Sequence, residues 1–331
     1  MPRTEFIATG FHVPARVVTN DDLARIMDTS DEWIVQRSGI KTRHWVSEGE
    51  TGVSLAFDAT RKALAKADLQ ASDLDCIIFC TCTPDHFEPG NGVFLQCALG
   101  LTDIPAVDVR NQCSGFVYGL SIADAWIRTG QYKRVLLVGA EVHSRGLDKT
   151  TRGRDVAVLF GDGAGVAILG PTEDSRRGVL STHLFADGRH AEKLWVDGPG
   201  LAHDPFVSHE LLDQGFHLPH MEGRDVFKFA STLMPQSVHA ALRANGLSIE
   251  DIKLLVPHQA NLRIIEMVAK GLCLREDQVF ANIHKYGNTT AASIPIALDE
   301  ALDQGRLARG ELVLLTSFGS GFTWASAAIR W

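Results

Sequence analysis

Three residues in this 331-residue chain have the side chains to make and break acyl bonds, although they lie far apart in sequence: Cys113, His258 and Asn288. Cys113 stands in NQCSGFVYGLSIADAWI, after an apolar segment and at the start of a helical pattern. A helix start offers free N–H groups and the positive end of the helix dipole, which favour a thiolate and lower a pKa of ~8.5. Small neighbours, Ser114 and Gly115, let a substrate approach the sulfur. Such a thiol can attack a thioester and carry its acyl group. By residue type alone it could equally be a buried structural cysteine. His258 closes the apolar run IKLLVPH, and Asn288 opens the small-residue stretch NTTAASIP. Both can donate a hydrogen bond to a developing oxyanion. Each also has an ordinary alternative, a core histidine and a helix cap.

Of the remaining cysteines, Cys76, Cys80 and Cys82 share the segment CIIFCTC. They alternate with apolar residues, and residues two apart on a strand share a face, so core packing is the expectation. No CxxC pair or His/Cys partner at ligand spacing accompanies them, and no metal is expected. A chain of this size without a basic-then-apolar leader favours reduced thiols.

An internal duplication ties the three candidates together. At an offset of 178 residues, Leu64, Leu69, Asp73 and Leu74 fall on Leu242, Leu247, Asp251 and Ile252, and Val135-Leu136-Leu137 falls on Val313-Leu314-Leu315. Phe160-Gly161 and Gly163 match Phe318-Gly319 and Gly321 at an offset about 20 shorter, so the first half carries an extra loop, placed in 141–157. In this register Cys113 falls on Ala291, close to Asn288, and Cys80 falls on His258. All three candidates then sit at the C-terminal ends of equivalent strands or the helix starts beyond them, where ligands bind in open α/β sheets.

The elements that would position them alternate. DATRKALAKADL has helical periodicity and LDCIIFCT reads as a buried strand; IPAVDV, a helix from Ser114 to about Arg128, and RVLLVGA follow. The second half repeats the order with VHAALRANGL, IKLLVPH, a helix over Asn261 to Gly271, VFANI, a helix after Asn288 and LVLLTSF. Mostly parallel sheets covered on both faces are expected, in two halves, 1–171 and 172–331, stacked as an α/β/α/β/α sandwich. The stretch 197–222, rich in Gly, Pro and His, has no period and reads as an irregular loop near a substrate entrance.

With 32 basic and 40 acidic residues the net charge is −8, which argues against nucleic-acid and anionic-membrane binding. No apolar run approaches the ~20 residues that span a bilayer. Cytoplasm is the expected compartment. FGDGAG lacks the spacing of a phosphate loop or a dinucleotide fingerprint and reads as a turn closing a strand.

The motifs DTSDEWIVQRSGI, QCSGF, RDVAVLFGDGAG, VPHQANLRI, YGNTTAASIP and SFGSGFTW, in this order, resemble β-ketoacyl-acyl carrier protein synthase III of the thiolase superfamily, and the likeness runs from about Ile7 to Trp331. The resemblance implies an initiating condensing enzyme of fatty acid synthesis. An acyl-CoA would acylate Cys113, with the oxyanion held by the N–H groups of Cys113 and Gly321. Malonyl-acyl carrier protein would then lose CO2, its enolate held by His258 and Asn288, and attack the acyl-cysteine. No cofactor is implied. Trp33 and Arg37, four apart on one helical face, together with Arg154 and Phe227, would hold CoA. Lys228, Arg263 and Lys270 would offer the acidic carrier protein a basic patch. Phe87 would mark the acyl pocket and a homodimer contact.

Asn111-Gln112 before the nucleophile, the long 197–222 stretch and Arg224 depart from the commonest pattern of that family, so a primer other than acetyl, of medium length or branched, is expected. Alternatives are a thiolase-fold ketosynthase of secondary metabolism, a non-decarboxylating acyltransferase, or a degenerate carrier-binding subunit. A biosynthetic thiolase would carry a second cysteine where SFGSGF has none.

Overall fold

A computed structural model describes residues 2–331. The apolar runs of its first half form β1 (Arg3–His12), β2 (Cys76–Cys80), β3 (Ala106–Val109), β4 (Val135–Glu141) and β5 (Gly163–Thr172), one sheet in the order β1-β5-β4-β2-β3. Those of the second form β6 (Gly178–Ala186), β7 (Leu254–Pro257), β8 (Leu312–Gly319) and β9 (Thr323–Arg330), in the order β7-β8-β9-β6.

The sheets are mixed, which corrects the expectation of mostly parallel pairing. Pairs β2–β3, β2–β4 and β7–β8 are parallel. Pairs β1–β5, β4–β5, β8–β9 and β9–β6 are antiparallel. For β8–β9 the reason lies in the connection: three residues join them, too few for the crossover that a parallel pair needs. VFANI is not a strand of the second sheet either. Val279 makes an isolated bridge to Leu255, after which the Gln259 side chain takes over the backbone, accepting from Asn282 N and Ile283 N at 3.0 and 3.2 Å and donating to Phe280 O at 3.2 Å.

Among the described residues, seven helices of eight or more residues complete the frame: α1 (Asp31–Ser38), α2 (Gly52–Ala67), α3 (Asn91–Ala98), α4 (Gly115–Arg128), α5 (Gly223–Ala244), α6 (Leu262–Gly271) and α7 (Ser293–Asp303). Strand alternation sorts them into layers. On β2, Cys76, Ile78 and Cys80 point to a central core shared with α4, α7 and the second sheet, while Ile77 and Phe79 point to an outer core under α2. On β8, Val313 and Leu315 face the same central core, and Leu312 and Leu314 face α5 and α6. Both sheets are therefore apolar on both faces, and α7, buried on nearly every side, fills the middle. The expected five-layer order holds.

The duplication is visible in the backbone. Gln112 and Thr290, 178 residues apart, both adopt positive φ, 43° and 50°, and each opens a short 3-10 turn into a central helix, 112–114 into α4 and 290–292 into α7. Each turn packs on the opposite half. A Cβ on Gly319 of β8 would lie 2.7 Å from Cys113 Cβ, and one on Gly139 of β4 would lie 2.4 Å from Ala291 O. Cys113 is thus delivered by the first half onto the sheet of the second.

Candidate active site

Cys113, His258, Asn288, Phe227 and Gly319 line one narrow cavity of about 110 Å³ between the ends of β7 and β8 and the start of α5. Cys113 sits in the 3-10 turn and is 7% exposed. Burial pushes its thiol up to about 12, helped by Glu141 and opposed by its own N–H and the Thr290 hydroxyl. This corrects the expected depression: the helix start is present, but the sulfur lies too deep for it to prevail. The resting group is a thiol.

His258 is fixed from one side. Its Nδ1 lies 2.7 Å from Ser293 Oγ at the start of α7, and Gln259 N donates to that same oxygen at 3.4 Å. A hydroxyl that accepts from Gln259 is free to donate to Nδ1, which puts the ring proton on Nε2. Nε2 is buried without a protein partner on the cavity side of the ring. Burial, and then His143, lower the imidazole to about 3, so it is neutral. Asn288 is oriented by the same logic: its Oδ1 accepts from Thr290 N at 2.9 Å, leaving the amide N–H groups for the cavity. Its backbone is stitched to the chain before β5, donating to Leu159 O at 2.8 Å and accepting from Gly161 N at 3.0 Å. The FGDG segment is accordingly a structural turn, whose Asp162 accepts from Val46 N and Ser144 N.

Behind Cys113 lies a polar network that sequence reasoning did not find. Glu141 closes β4 and accepts from Thr81 Oγ1 at 3.0 Å, Thr83 Oγ1 at 2.5 Å, the N–H groups of Cys82 and Thr83, and Ala291 N at 3.4 Å. His143 Nε2 lies 2.5 Å from Thr290 Oγ1. Cys82 belongs to this network and not to the apolar core that holds Cys76 and Cys80. Cys82, Glu141 and His143 have ligand-type atoms within 4.8 Å of one another, yet the Glu141 oxygens are already taken by these donors, which fits a structural anchor. The only signal in the sequence was positional: Glu141 is the duplication counterpart of Gly319, as Thr290 is of Gln112.

The outer residues fall into three places. On α1, capped by Ser30 Oγ, the Arg37 guanidinium stacks 4.2 Å from the Trp33 ring, and that of Arg154 lies 5.2 Å from the same ring. Arg154 also donates to Asp28 O at 2.6 Å. Arg152 is held instead by Asp148. Nearer the cavity, Arg263 of α6 lies 5.6 Å from the Phe227 ring; Lys228 is exposed on α5, and Lys270 is exposed at the far end of α6. Phe87 is 67% exposed and meets Phe206, from the 197–222 segment, edge to face at 5.8 Å. That segment contains a short helix, His209–Gln214, and contributes Met221 to the cavity wall. Gly321, expected at the oxyanion, lies in the β8–β9 turn with φ 133°, and Gly319 is the residue directly against Cys113.

Comparison with known proteins identifies the family. Residues 107–188 match the family 3-oxoacyl-[acyl-carrier-protein (ACP)] synthase III, and residues 242–331 match its C-terminal region. The chain is 48% identical over 332 residues to β-ketoacyl-[acyl-carrier-protein] synthase III of Rhodospirillum centenum, covering 99% of each, and 45% identical over 335 residues to that of Brucella suis, covering 100% of each. Its fold superposes on the crystal structure of 3-oxoacyl-[acyl-carrier-protein] synthase III from Aquifex aeolicus with a TM-score of 0.91 at 40% identity, covering 99% of this chain and 100% of the other. The chain belongs to the β-ketoacyl-[acyl-carrier-protein] synthase III family and has its thiolase-type fold.

Proposed function

We propose that this enzyme condenses an acyl-CoA primer with malonyl-acyl carrier protein, with loss of CO2, through an acyl group held on Cys113, and so starts fatty acid chains. The observation that carries the reading is the meeting in one cavity of a buried thiol, a neutral imidazole with a bare Nε2 and an amide whose oxygen is already occupied. In the first half-reaction Cys113 attacks the thioester, and the N–H groups of Cys113 and of the turn through Gly321 face the oxyanion. In the second, loss of CO2 leaves an enolate whose oxygen accepts from His258 Nε2–H and the Asn288 amide. A neutral imidazole suits this task, because it stabilises the enolate without protonating its carbon. Neither step calls for a metal or redox cofactor.

The Trp33–Arg37–Arg154 stack offers a flat aromatic face with two cations for the adenine and phosphates of CoA, and Phe227 lines the entry. Arg263 and Lys228 give an acidic carrier protein cations beside that entry, and Lys270 extends the patch to the far end of α6. The halves 1–171 and 172–331 act as two half-domains, and a second copy of the chain covers the apolar surface around Phe87, Leu201 (83% exposed) and Phe206. Among the described residues no helix is long and apolar enough to cross a membrane, and the cytoplasm is the proposed compartment. A primer longer than acetyl is supported by the 197–222 segment, whose Met221 reaches the cavity wall; Asn111, Gln112 and Arg224, the other departures from the family pattern, do not line it.

The test is intact-mass measurement after exposure to acetyl-, isobutyryl- and octanoyl-CoA, followed by malonyl-acyl carrier protein. The expected result is a single acyl adduct, absent in Cys113→Ala, that is discharged as a β-ketoacyl carrier. An adduct that persists in Cys113→Ala overturns the acyl-enzyme. Preference for acetyl overturns the longer primer alone.

A further inference from the structure

One hydroxyl joins the wall of the cavity to the turn that lies against the nucleophile. Leu194 and Met221 are paired across a two-residue antiparallel ribbon, Leu194–Trp195 with His220–Met221, and both line the cavity together with Cys113 and Gly319. The ribbon is the neck of the 197–222 segment, and it is pinned to the start of α5. Glu222 N donates to Lys193 O at 2.8 Å, and the Lys193 ammonium pairs with Glu222 at 3.3 Å and with Asp225. Ser320, in the β8–β9 turn, donates its hydroxyl to Leu194 O. On the other side of the turn Thr323 Oγ1 donates to Ser320 O at 3.1 Å, and Ser114 Oγ, beside the nucleophile, donates to Thr323 O at 3.1 Å.

We propose that Ser320 is a positioning residue for acyl transfer, whose hydroxyl ties the turn that holds the oxyanion to the wall that meets the substrate chain. Leu194 gives its side chain to the cavity and its carbonyl to Ser320, so whatever holds the ribbon in place also holds the turn. The turn is close enough to the reacting atom for this to count: a Cβ on Gly319 would lie 3.1 Å from both Cys113 N and Cys113 Sγ. Backbone donors stabilise an oxyanion only when fixed where the charge develops, and small misplacements cost rate. Ser320 does not itself line the cavity, so it acts through the turn.

The proposal rests on the acyl-Cys113 reading. In that step a sulfur lone pair of Cys113 forms the bond to the acyl carbon, and the carbonyl π pair moves onto oxygen, where the turn meets it. Its return breaks the bond to the CoA sulfur, which leaves with the pair and takes up the proton lost from Cys113. The hydroxyl of Ser320 neither gives nor takes a proton in this sequence. Its single O–H stays on Leu194 O throughout.

The test compares single-turnover acylation of Cys113 by acyl-CoA with its alkylation by iodoacetamide, both by intact mass, in the full-length enzyme and in Ser320→Ala and Ser320→Thr. Iodoacetamide is attacked at a saturated carbon where no oxyanion develops, so alkylation reports on the thiol alone. Loss of the tether should slow acylation at saturating acyl-CoA about tenfold in Ser320→Ala. The half-saturating concentration should stay within about threefold of the parent and alkylation within about twofold, as for an interaction that acts in the transition state. Ser320→Thr keeps the hydroxyl and should return acylation to within about threefold of the parent. Acylation of Ser320→Ala at the parental rate overturns the proposal. So does a Thr variant no better than Ala, or an equal loss of acylation and alkylation. If Ser320→Ala fails to fold, Ser320→Cys, with a weaker donor of similar shape, decides by the same readouts. A parent enzyme that alkylates but takes no acyl adduct overturns the acyl-enzyme reading and this proposal with it, whereas a parental adduct with unaffected variants overturns the tether alone.

Discussion

His258 and Asn288 each spend one polar edge on the scaffold and leave the other facing the cavity, Nδ1 on Ser293 and Oδ1 on the Thr290 N–H. In the proposed reaction, that division would confine both residues to the second half-reaction. His258→Ala and Asn288→Ala should lose about 10²–10³-fold in release of CO2 from malonyl-acyl carrier protein, the usual cost of one oxyanion donor. Both should still take an acyl adduct on Cys113, and Asn288→Asp, with no N–H to give, should resemble the alanine variant. Equal loss of acylation and decarboxylation would assign these residues to the thiol instead. At this scale the sequence showed where Cys113, His258 and Asn288 stand, because the 178-residue register marks strand ends and helix starts. It did not show what holds them. Ser293 is 35 residues from His258 and His143 is 147 from Thr290, and a serine or histidine in those settings carries no local pattern. Depth was equally hidden: the helix start ahead of α4 was legible, but not the burial that raises the Cys113 thiol.

The paired turns decide how closely the halves approach. Gly319 is glycine because Cys113 occupies the space of a side chain: an added methyl would lie 2.7 Å from Cys113 Cβ and 3.1 Å from its sulfur. Gly319→Ala should therefore push the thiol off line, and we expect about 10²-fold or more loss of acyl transfer from misplacing the reacting atom. Overpacking of about 1–3 kcal/mol should lower the melting temperature by only a few degrees in a chain of this size. Unchanged acylation by mass spectrometry, with the thermal shift present, would show that the turn yields without moving the sulfur. Element types were legible from apolar runs and helical period, and the layers followed because both sheets read as apolar on both faces. Strand direction was not. An apolar run looks the same in either direction, and the connection β8–β9, a three-residue turn in place of a crossover helix, sets that one antiparallel pair. VFANI failed as a strand for a different reason, since the competing acceptor was a side chain, Gln259, 20 residues upstream.

A cavity closed this deeply inside the central layer makes the whole molecule sensitive to acid. His143 and His258 are lowered from 6.5 to about 3 by burial, so the stability they contribute is present above pH 6.5 and is lost as pH falls toward 3. Glu141 works the other way. Burial raises it from 4.5 to about 7, so its contribution is full below pH 4.5 and lost as pH rises through 7. Between about pH 6.5 and 4.5 unfolding takes up two protons on the histidines and releases one from Glu141, two minus one, a net of one. One proton corresponds to a slope of about 1.4 kcal/mol per pH unit. His12, His183 and His284, lowered by partial burial, add in the same direction, so differences between variants are the clean readout. Guanidinium unfolding across this window should show stability falling with pH, less steeply by about one proton in His143→Leu and more steeply by about one in Glu141→Gln. Parallel slopes in the parent and both variants would mean that these groups titrate alike folded and unfolded, and that the site is open to water. If the slopes diverge as expected, the burial that keeps His258 a neutral donor is also what limits the protein in acid.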